Sequence, residues 1–235
     1  MLDSYFNNEQ RKDITGRTEN FHYKWEEKDD NGFSLLGHIF NNYGVKLKTL
    51  YNAPAKANLQ NASIYIIVDP DVPKENVNAK YIDSTHIADV SEWVKNGGVL
   101  LVLNNDSGNA EFRNLNKLMV KFGMKYDENT INKVTALRID PGVIEIGADN
   151  SIIKNAGMVY LKDVSSLTLT APAVPILSKQ GKVIIAIAKY GRGAVLAVGD
   201  PWFYNEYIGG LNLPDSIQNY EAANDIVAWL VQQAL

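Results

Sequence analysis

Gly97-Gly98-Val99-Leu100-Leu101-Val102-Leu103, followed by Asn104-Asn105-Asp106-Ser107-Gly108-Asn109, is the stretch that decides the fold class. Five apolar residues in a row, opened by a glycine pair, read as a strand buried on both faces. That is the signature of a mainly parallel sheet covered by helices. In open α/β sheets, ligands bind just past the carboxyl ends of the strands. The polar run 104–109 therefore marks where a functional site is expected. It holds no Cys, and Ser107 is not in a Gly-x-Ser-x-Gly setting.

Outward from this strand, apolar spacing alternates between strand and helix periods. On the N-terminal side, Met1–Tyr5 reads as a short first strand. Phe6–Asn31 is a long polar connection whose aromatics (Phe6, Phe21, Tyr23, Trp25) argue for an ordered, functional loop. A helix is expected over Gly32–Tyr43, closed by Gly44. Strands follow at Val45–Tyr51 and Ser63–Val68, the second ending in Asp69-Pro70-Asp71. The next helix, Thr85–Lys95, takes Ser84 as its N-cap and carries the stripe Ile87, Val90, Trp93 and Val94. On the C-terminal side, Phe112–Phe122 has helical spacing. From 134 to 178 the pattern shifts to short strand-like pieces at Val134–Ile139, Val143–Ile146, Met158–Val164, Leu167–Leu169 and Val174–Leu177, an antiparallel extension of the sheet. Lys182–Tyr190 and Ala194–Gly199 form a hairpin across Gly191-Arg192-Gly193. The second of these strands runs into Asp200-Pro201-Trp202-Phe203-Tyr204-Asn205. A last helix, Tyr220–Ala234, buries Ala223, Ile226, Trp229 and Leu230. The order predicts one three-layer α/β domain over residues 1–235.

The 235 residues are 46% hydrophobic and 21% charged, enough to bury a core without staples. A net charge of −4 disfavours a nucleic-acid partner. No apolar run approaches the ~20 residues of a membrane span, and no basic-then-apolar leader opens the chain. With no cysteine, disulfides, thiolate metal sites and thiol nucleophiles are excluded. No zinc, Walker or dinucleotide-binding motif is present.

The chemistry-bearing residues gather at three strand ends: Asp69 with Asp71, Asn104-Asn105-Asp106, and Asp200. If the three strands are parallel neighbours, these groups converge on one edge. Carboxylates brought together can hold a hard cation or divide into proton donor and acceptor; Asp, Asn and Pro are also ordinary strand terminators. Trp202, Tyr204 and Asn205 beside Asp200 suit a sugar, whose C–H faces are apolar and whose hydroxyls need polar partners. The alternative is that Trp202 and Phe203 simply close the core. Of the histidines, His38 is expected to pack, His86 to be solvated, and His22 to be the acid–base candidate. Lys24–Asp30 is charge-rich and reads as a solvated loop.

The strand 97–103 after a helix carrying Trp93-Val94-Lys95, and the late hairpin Tyr190-Gly191-Arg192-Gly193-Ala194 leading to Gly199-Asp200, resemble class I glutamine-amidotransferase-like domains. More narrowly, Asp3–Glu9, His22–Trp25, Ile67–Asp71, Asn105–Asn109 and Gly199–Asn205 resemble the amidotransferase-like domains associated with bacterial unsaturated rhamnogalacturonyl hydrolases. The resemblance implies a flavodoxin-like sheet and a setting in pectin breakdown. It also implies a periplasmic or secreted location and an oligosaccharide ligand, with a second copy or a glycoside hydrolase as partner. Catalytic candidates are then Asp106, Asp200 and His22. Ligand-binding candidates are Asn7, Trp25, Asp69, Asn105, Asn109, Trp202, Tyr204 and Asn205. No cofactor is expected, with a divalent cation at the carboxylates left open. The chain departs from the family where the activity lies: no Cys stands at 104–107 and no His at 200–202, so thioester chemistry is not expected. The reading is a domain that binds or helps process uronic-acid-containing oligosaccharide. The alternatives are a carboxylate- or His22-dependent hydrolase and a structural or oligomerising domain.

Overall fold

The computed structural model describes residues 1–135, 138–210 and 213–235. Its strands are β1 (Leu2–Asp3), β2 (Gln10–Lys12), β3 (Thr18–Asn20), β4 (Thr49–Leu50), β5 (Ile64–Val68), β6 (Val99–Leu103), β7 (Met124–Tyr126), β8 (Val143–Glu145), β9 (Met158–Tyr160), β10 (Leu167–Leu169), β11 (Val174–Lys179), β12 (Lys182–Tyr190) and β13 (Gly193–Val198). Its helices are α1 (Ser34–Asn42), α2 (Lys56–Leu59), α3 (Ser84–Lys95), α4 (Leu115–Met119), α5 (Asn205–Ile208) and α6 (Asn219–Gln233). The central sheet runs β4-β1-β5-β6-β13-β12-β10-β7, with β11 also paired to β12. Strands β4, β1, β5, β6 and β13 are parallel, and the rest of the sheet is antiparallel. The architecture is three-layer α/β.

Strand β6 lies between β5 and β13, so its five apolar residues have two faces to fill. Val99, Leu101 and Leu103 enter a core with Leu36, Ile39 and Phe40 of α1 and Ala223, Ile226 and Leu230 of α6. Leu100 and Val102 enter a second core with Val90 and Val94 of α3 and Leu115, Leu118 and Met119 of α4. Each such side chain stabilises the fold by about 1.5–3 kcal/mol through burial, which is why an uninterrupted apolar run is stable here. Gly98 leads into this strand beneath Trp93, where a Cβ would meet the indole at 2.4 Å.

Several boundaries differ from expectation for local reasons. Asp83, not Ser84, caps α3: its Oδ1 accepts from the backbone N–H groups of Thr85 (2.9 Å) and His86 (3.0 Å). The Asp83 N–H in turn donates to His86 Nδ1 at 3.2 Å. His86 is therefore buried, edge-on to Phe6 and Tyr5, rather than solvated. His38 is exposed, not packed. The Glu111 carboxylate accepts from the N–H groups of Asn114 and Leu115, so α4 begins at Leu115 rather than at Phe112. Of Val45–Tyr51 only Thr49–Leu50 pairs.

The antiparallel extension is real but divided. Strands β8 and β9 form a separate ribbon, while β10 and β11 join β12, and β7 closes the edge. The expected strand Val134–Ile139 includes residues 136–137, which lie outside the described residues. Within Phe6–Asn31, β2 and β3 make a small hairpin, and Trp229 of α6 is only partly buried.

Candidate functional site at the carboxyl edge

Strands β5, β6 and β13 are parallel neighbours with Val68, Leu103 and Val198 in register. Asp69 and Asn104 thus stand side by side past their ends, level with Gly199, and Asp200 follows one residue beyond. The ladder carries on into this polar row: the Asp69 N–H donates to Leu103 O at 2.8 Å and the Asn104 N–H to Val198 O at 3.1 Å. Gly199 allows the close approach of the next segment, since a Cβ there would lie 1.8 Å from Ser165 O.

Two tyrosines bridge the outer carboxyls. The Tyr23 hydroxyl donates to Asp69 Oδ2 at 3.0 Å, and the Tyr204 hydroxyl donates to Asp200 Oδ1 at 3.2 Å. The two rings stack with centroids 5.4 Å apart. Asn105 Nδ2 reaches Asp69 Oδ2 at 3.5 Å. Tyr23 is delivered by the 5–33 loop, with His22 and Tyr23 both at φ of 57°. Asp69 itself has a φ of 40°. Left-handed non-glycine residues of this kind store strain and concentrate at functional sites.

Asp69 is 6% exposed and Asp200 3%. Burial pushes both carboxyls well above the usual range, outweighing the tyrosine hydrogen bonds that oppose it. Burial, with the neighbouring carboxyls, also raises Tyr23 and Tyr204 well above the usual phenol value. Asp69 Oδ1, Asp200 Oδ2 and both side-chain heteroatoms of Asn104 are buried without a hydrogen-bond partner among the described residues. Unpaired buried polar atoms are costly, and four of the six such atoms among the described residues gather at these strand ends, the others being Glu27 Oε1 and Asp71 Oδ1.

The other candidate residues divide between this edge and the scaffold. Asp106 ties two loops together: Oδ1 accepts from Asn109 Nδ2 and Oδ2 from Thr130 Oγ1, both at 2.6 Å. Asn109 also accepts from Lys74 Nζ at 3.0 Å. His22 sits against Glu9 at 2.8 Å and stacks on Phe21 and Tyr23; its ring partners do not include Asp106 or Asp200. Asn7 is structural, donating to Asp69 O at 2.9 Å and accepting from the buried Lys24 Nζ at 2.8 Å. Lys24 and Glu27 are buried, so the charge-rich 24–30 loop is not simply solvated. Trp25 packs beside Phe33 and Phe40, with Nε1 on Lys48 O at 3.2 Å, away from the carboxyl row.

Trp202 has no exposed surface and donates Nε1 to Tyr160 O at 2.9 Å, so it closes the core and offers no face to a sugar. Asn205 also turns inward. Its Oδ1 accepts from the Leu35 N–H, and its Nδ2 points to Glu27 O, Asp29 O and Ser34 Oγ. Asp69, Asn105, Asp200 and Tyr204 are the predicted residues that the fold brings to the edge.

A cleft of about 280 Å³, whose lining includes Tyr160, Lys162, Asp163, Glu206 and Tyr207, lies within electrostatic reach of Asp200. Lys162 Nζ lies 5.7 Å from the Tyr207 ring centroid, and Tyr207 in turn packs on Tyr204 at 4.9 Å. Lys162 and Asp163 both act electrostatically on Asp200. These residues were not among the sequence candidates; Lys162-Asp163 follows β9 and had only the signal of a charged pair inside an apolar run. Among the described residues, no group of three or more His, Cys, Asp or Glu side chains is arranged to hold a metal ion.

No family model and no curated protein sequence matches this chain. Its fold is nevertheless shared. The N-terminal domain of mmIFT52 superposes with a TM-score of 0.72 at 17% identity, over 97% of this chain and 96% of that one. A cytoplasmic protein of Salmonella typhimurium gives 0.60 at 12% identity, over 97% and 96%. A β-galactosidase from Rahnella sp. R3 gives 0.50 at 16% identity, covering 76% of this chain but 26% of that one. At these identities the likenesses establish the three-layer α/β fold and nothing more.

Proposed function

We propose that this chain is an amidotransferase-like domain without the Cys–His pair, which binds uronic-acid-containing, rhamnogalacturonan-type oligosaccharide at the carboxyl edge of its sheet. The observation that carries the reading is the strand-end row itself. Asp69, Asn104 and Asp200 keep four buried polar atoms free of partners among the described residues, and Asn105 and Tyr204 remain partly exposed beside them. Carboxyl and amide groups in a row suit vicinal hydroxyls, which both donate and accept. At the strand end where an amidotransferase keeps its nucleophile, the chain has a buried amide, followed by an Asp106 whose two oxygens are already engaged. This favours binding over attack on a carbonyl.

Calorimetric titration against a panel of pectic oligosaccharides tests the proposal. Binding to at least one, weakened at least about tenfold by Asn105→Ala through loss of a buried polar contact, is the expected result. Absence of binding across the panel overturns it. The hydrolase alternative draws support from the raised, buried carboxyl of Asp200 as a proton donor. It requires release of reducing ends from the same oligosaccharides, lost in Asp200→Asn. A structural role for the domain, alone or beside a glycoside hydrolase, requires self-association or co-elution with that enzyme.

A further inference from the structure

The geometry points to the cleft within electrostatic reach of Asp200 as a carboxylate subsite, in which Lys162 pairs with the acid group of the sugar; this rests on the carbohydrate reading above and adds the residue that selects acidic over neutral rings. Four observations support it. The cleft measures about 280 Å³, just under the ~300 Å³ at which ligand sites usually begin, which is room for one ring and not for a chain buried end to end. Lys162 is partly exposed and forms no ion pair within 4.0 Å among the described residues. Its ammonium is placed instead by the Tyr207 face, 5.7 Å below, a cation–π contact that leaves its N–H donors to a ligand. Tyr207 is itself fixed by edge-on contact with Tyr160 at 5.7 Å and by packing on Tyr204 at 4.9 Å. The charge therefore sits on a rigid aromatic floor.

The rest of the lining divides the labour. Glu206 and Asp163, which also line the cleft, are acceptors for ring hydroxyls. They also repel a carboxylate placed anywhere except against Lys162, which fixes orientation. Burial and the nearby Asp106 raise Asp163 above the usual carboxylate range. A ring with one carboxylate and several hydroxyls satisfies this set. A neutral ring leaves Lys162 without its partner, and a doubly charged anion meets two acids.

The test compares trigalacturonate with its carboxyl-reduced counterpart, which has the same rings and hydroxyls but CH2OH in place of each carboxylate. The wild-type chain should bind the acid at least about tenfold more tightly, as a charged hydrogen bond outweighs a neutral one by that order. Lys162→Met, which keeps the apolar stem over Tyr207, should abolish the preference. Glu206→Gln should strengthen binding of the acid form alone. Equal wild-type affinity for both forms overturns this subsite and leaves the carbohydrate reading standing. So does a preference that survives Lys162→Met. Failure of the wild-type chain to bind either form overturns this subsite, and absence of binding across the wider pectic panel overturns the carbohydrate reading as well. Unchanged melting temperatures of the variants show that the comparison reads the site and not the fold.

Discussion

Asp3 makes a pH-dependent contribution to stability whose sign and size follow from its surroundings. Its carboxyl has no exposed surface, and burial raises its pKa from 3.8 to about 6. Hydrogen bonds from Tyr65 (2.6 Å) and the Phe6 N–H (2.7 Å), with the charge of Lys24, only partly offset this. Because the folded pKa lies above the unfolded one, the native state keeps a proton that the unfolded chain has already released. The stabilisation is complete below the unfolded pKa of 3.8 and is lost as pH rises through about 6.

Two units of displacement correspond to about 3 kcal/mol, a slope of about 1.4 kcal/mol per pH unit between the two values. Asp3→Asn keeps the shape and an acceptor for Phe6 but cannot ionise. Its unfolding free energy, from urea titrations at half-unit pH steps, should fall less steeply than the wild type by about 1.4 kcal/mol per unit between about pH 4 and pH 6. The variant should be about 1 kcal/mol the less stable at the acid end, where its altered bond to Tyr65 dominates. It should match or exceed the wild type near neutrality, less whatever Lys24 loses with its neighbour. Parallel curves for the two proteins would refute the reasoning.

Three further substitutions test the scaffold. Tyr126→Phe removes a buried hydroxyl that donates to Val102 O at 3.0 Å and Val198 O at 3.1 Å; a loss of about 1–3 kcal/mol with an unchanged urea slope is expected. Gly199→Ala places a Cβ 1.8 Å from Ser165 O and 2.8 Å from Val164 Cγ1, so the chain should lose at least about 3 kcal/mol, read as a fall in melting temperature. Asn205→Ala strips the contacts that hold α5 to the start of α1. The Leu35 amide should then exchange at least about tenfold faster with solvent, equivalent to about 1.4 kcal/mol of lost protection.

The centre of the sheet was legible because its chemistry is self-contained: β6 is apolar on both faces, and only a strand covered on both sides tolerates that. The polar row at the ends of β5, β6 and β13 was legible for the same reason, since three buried strands that stop in acid or amide must place those groups on one edge. The periphery was not. Strands β4 and β7, two and three residues long, exist because a neighbour offers a free edge, and pairing of that kind leaves little periodicity behind. Trp202 and Asn205 were misplaced because composition does not say which way a side chain turns: both face inward to satisfy polar backbone groups distant in sequence, 42 residues away for Trp202 and 170 to 178 for Asn205. Lys24 was hidden in a charged run, although its partner is the Asn7 carbonyl inside the fold. The cleft was invisible because its lining comes from segments near 135, 160 and 207, which share no motif.

Amide chemical shifts recorded during titration with trigalacturonate test the central claim most directly. Changes should be confined to Asp69, Asn104, Asn105, Lys162, Asp163, Asp200 and Glu206, with Ser63, Lys46 and Lys48 at the opposite edge of the sheet unmoved. Shifts concentrated at that opposite edge, or none at saturating ligand, would contradict it.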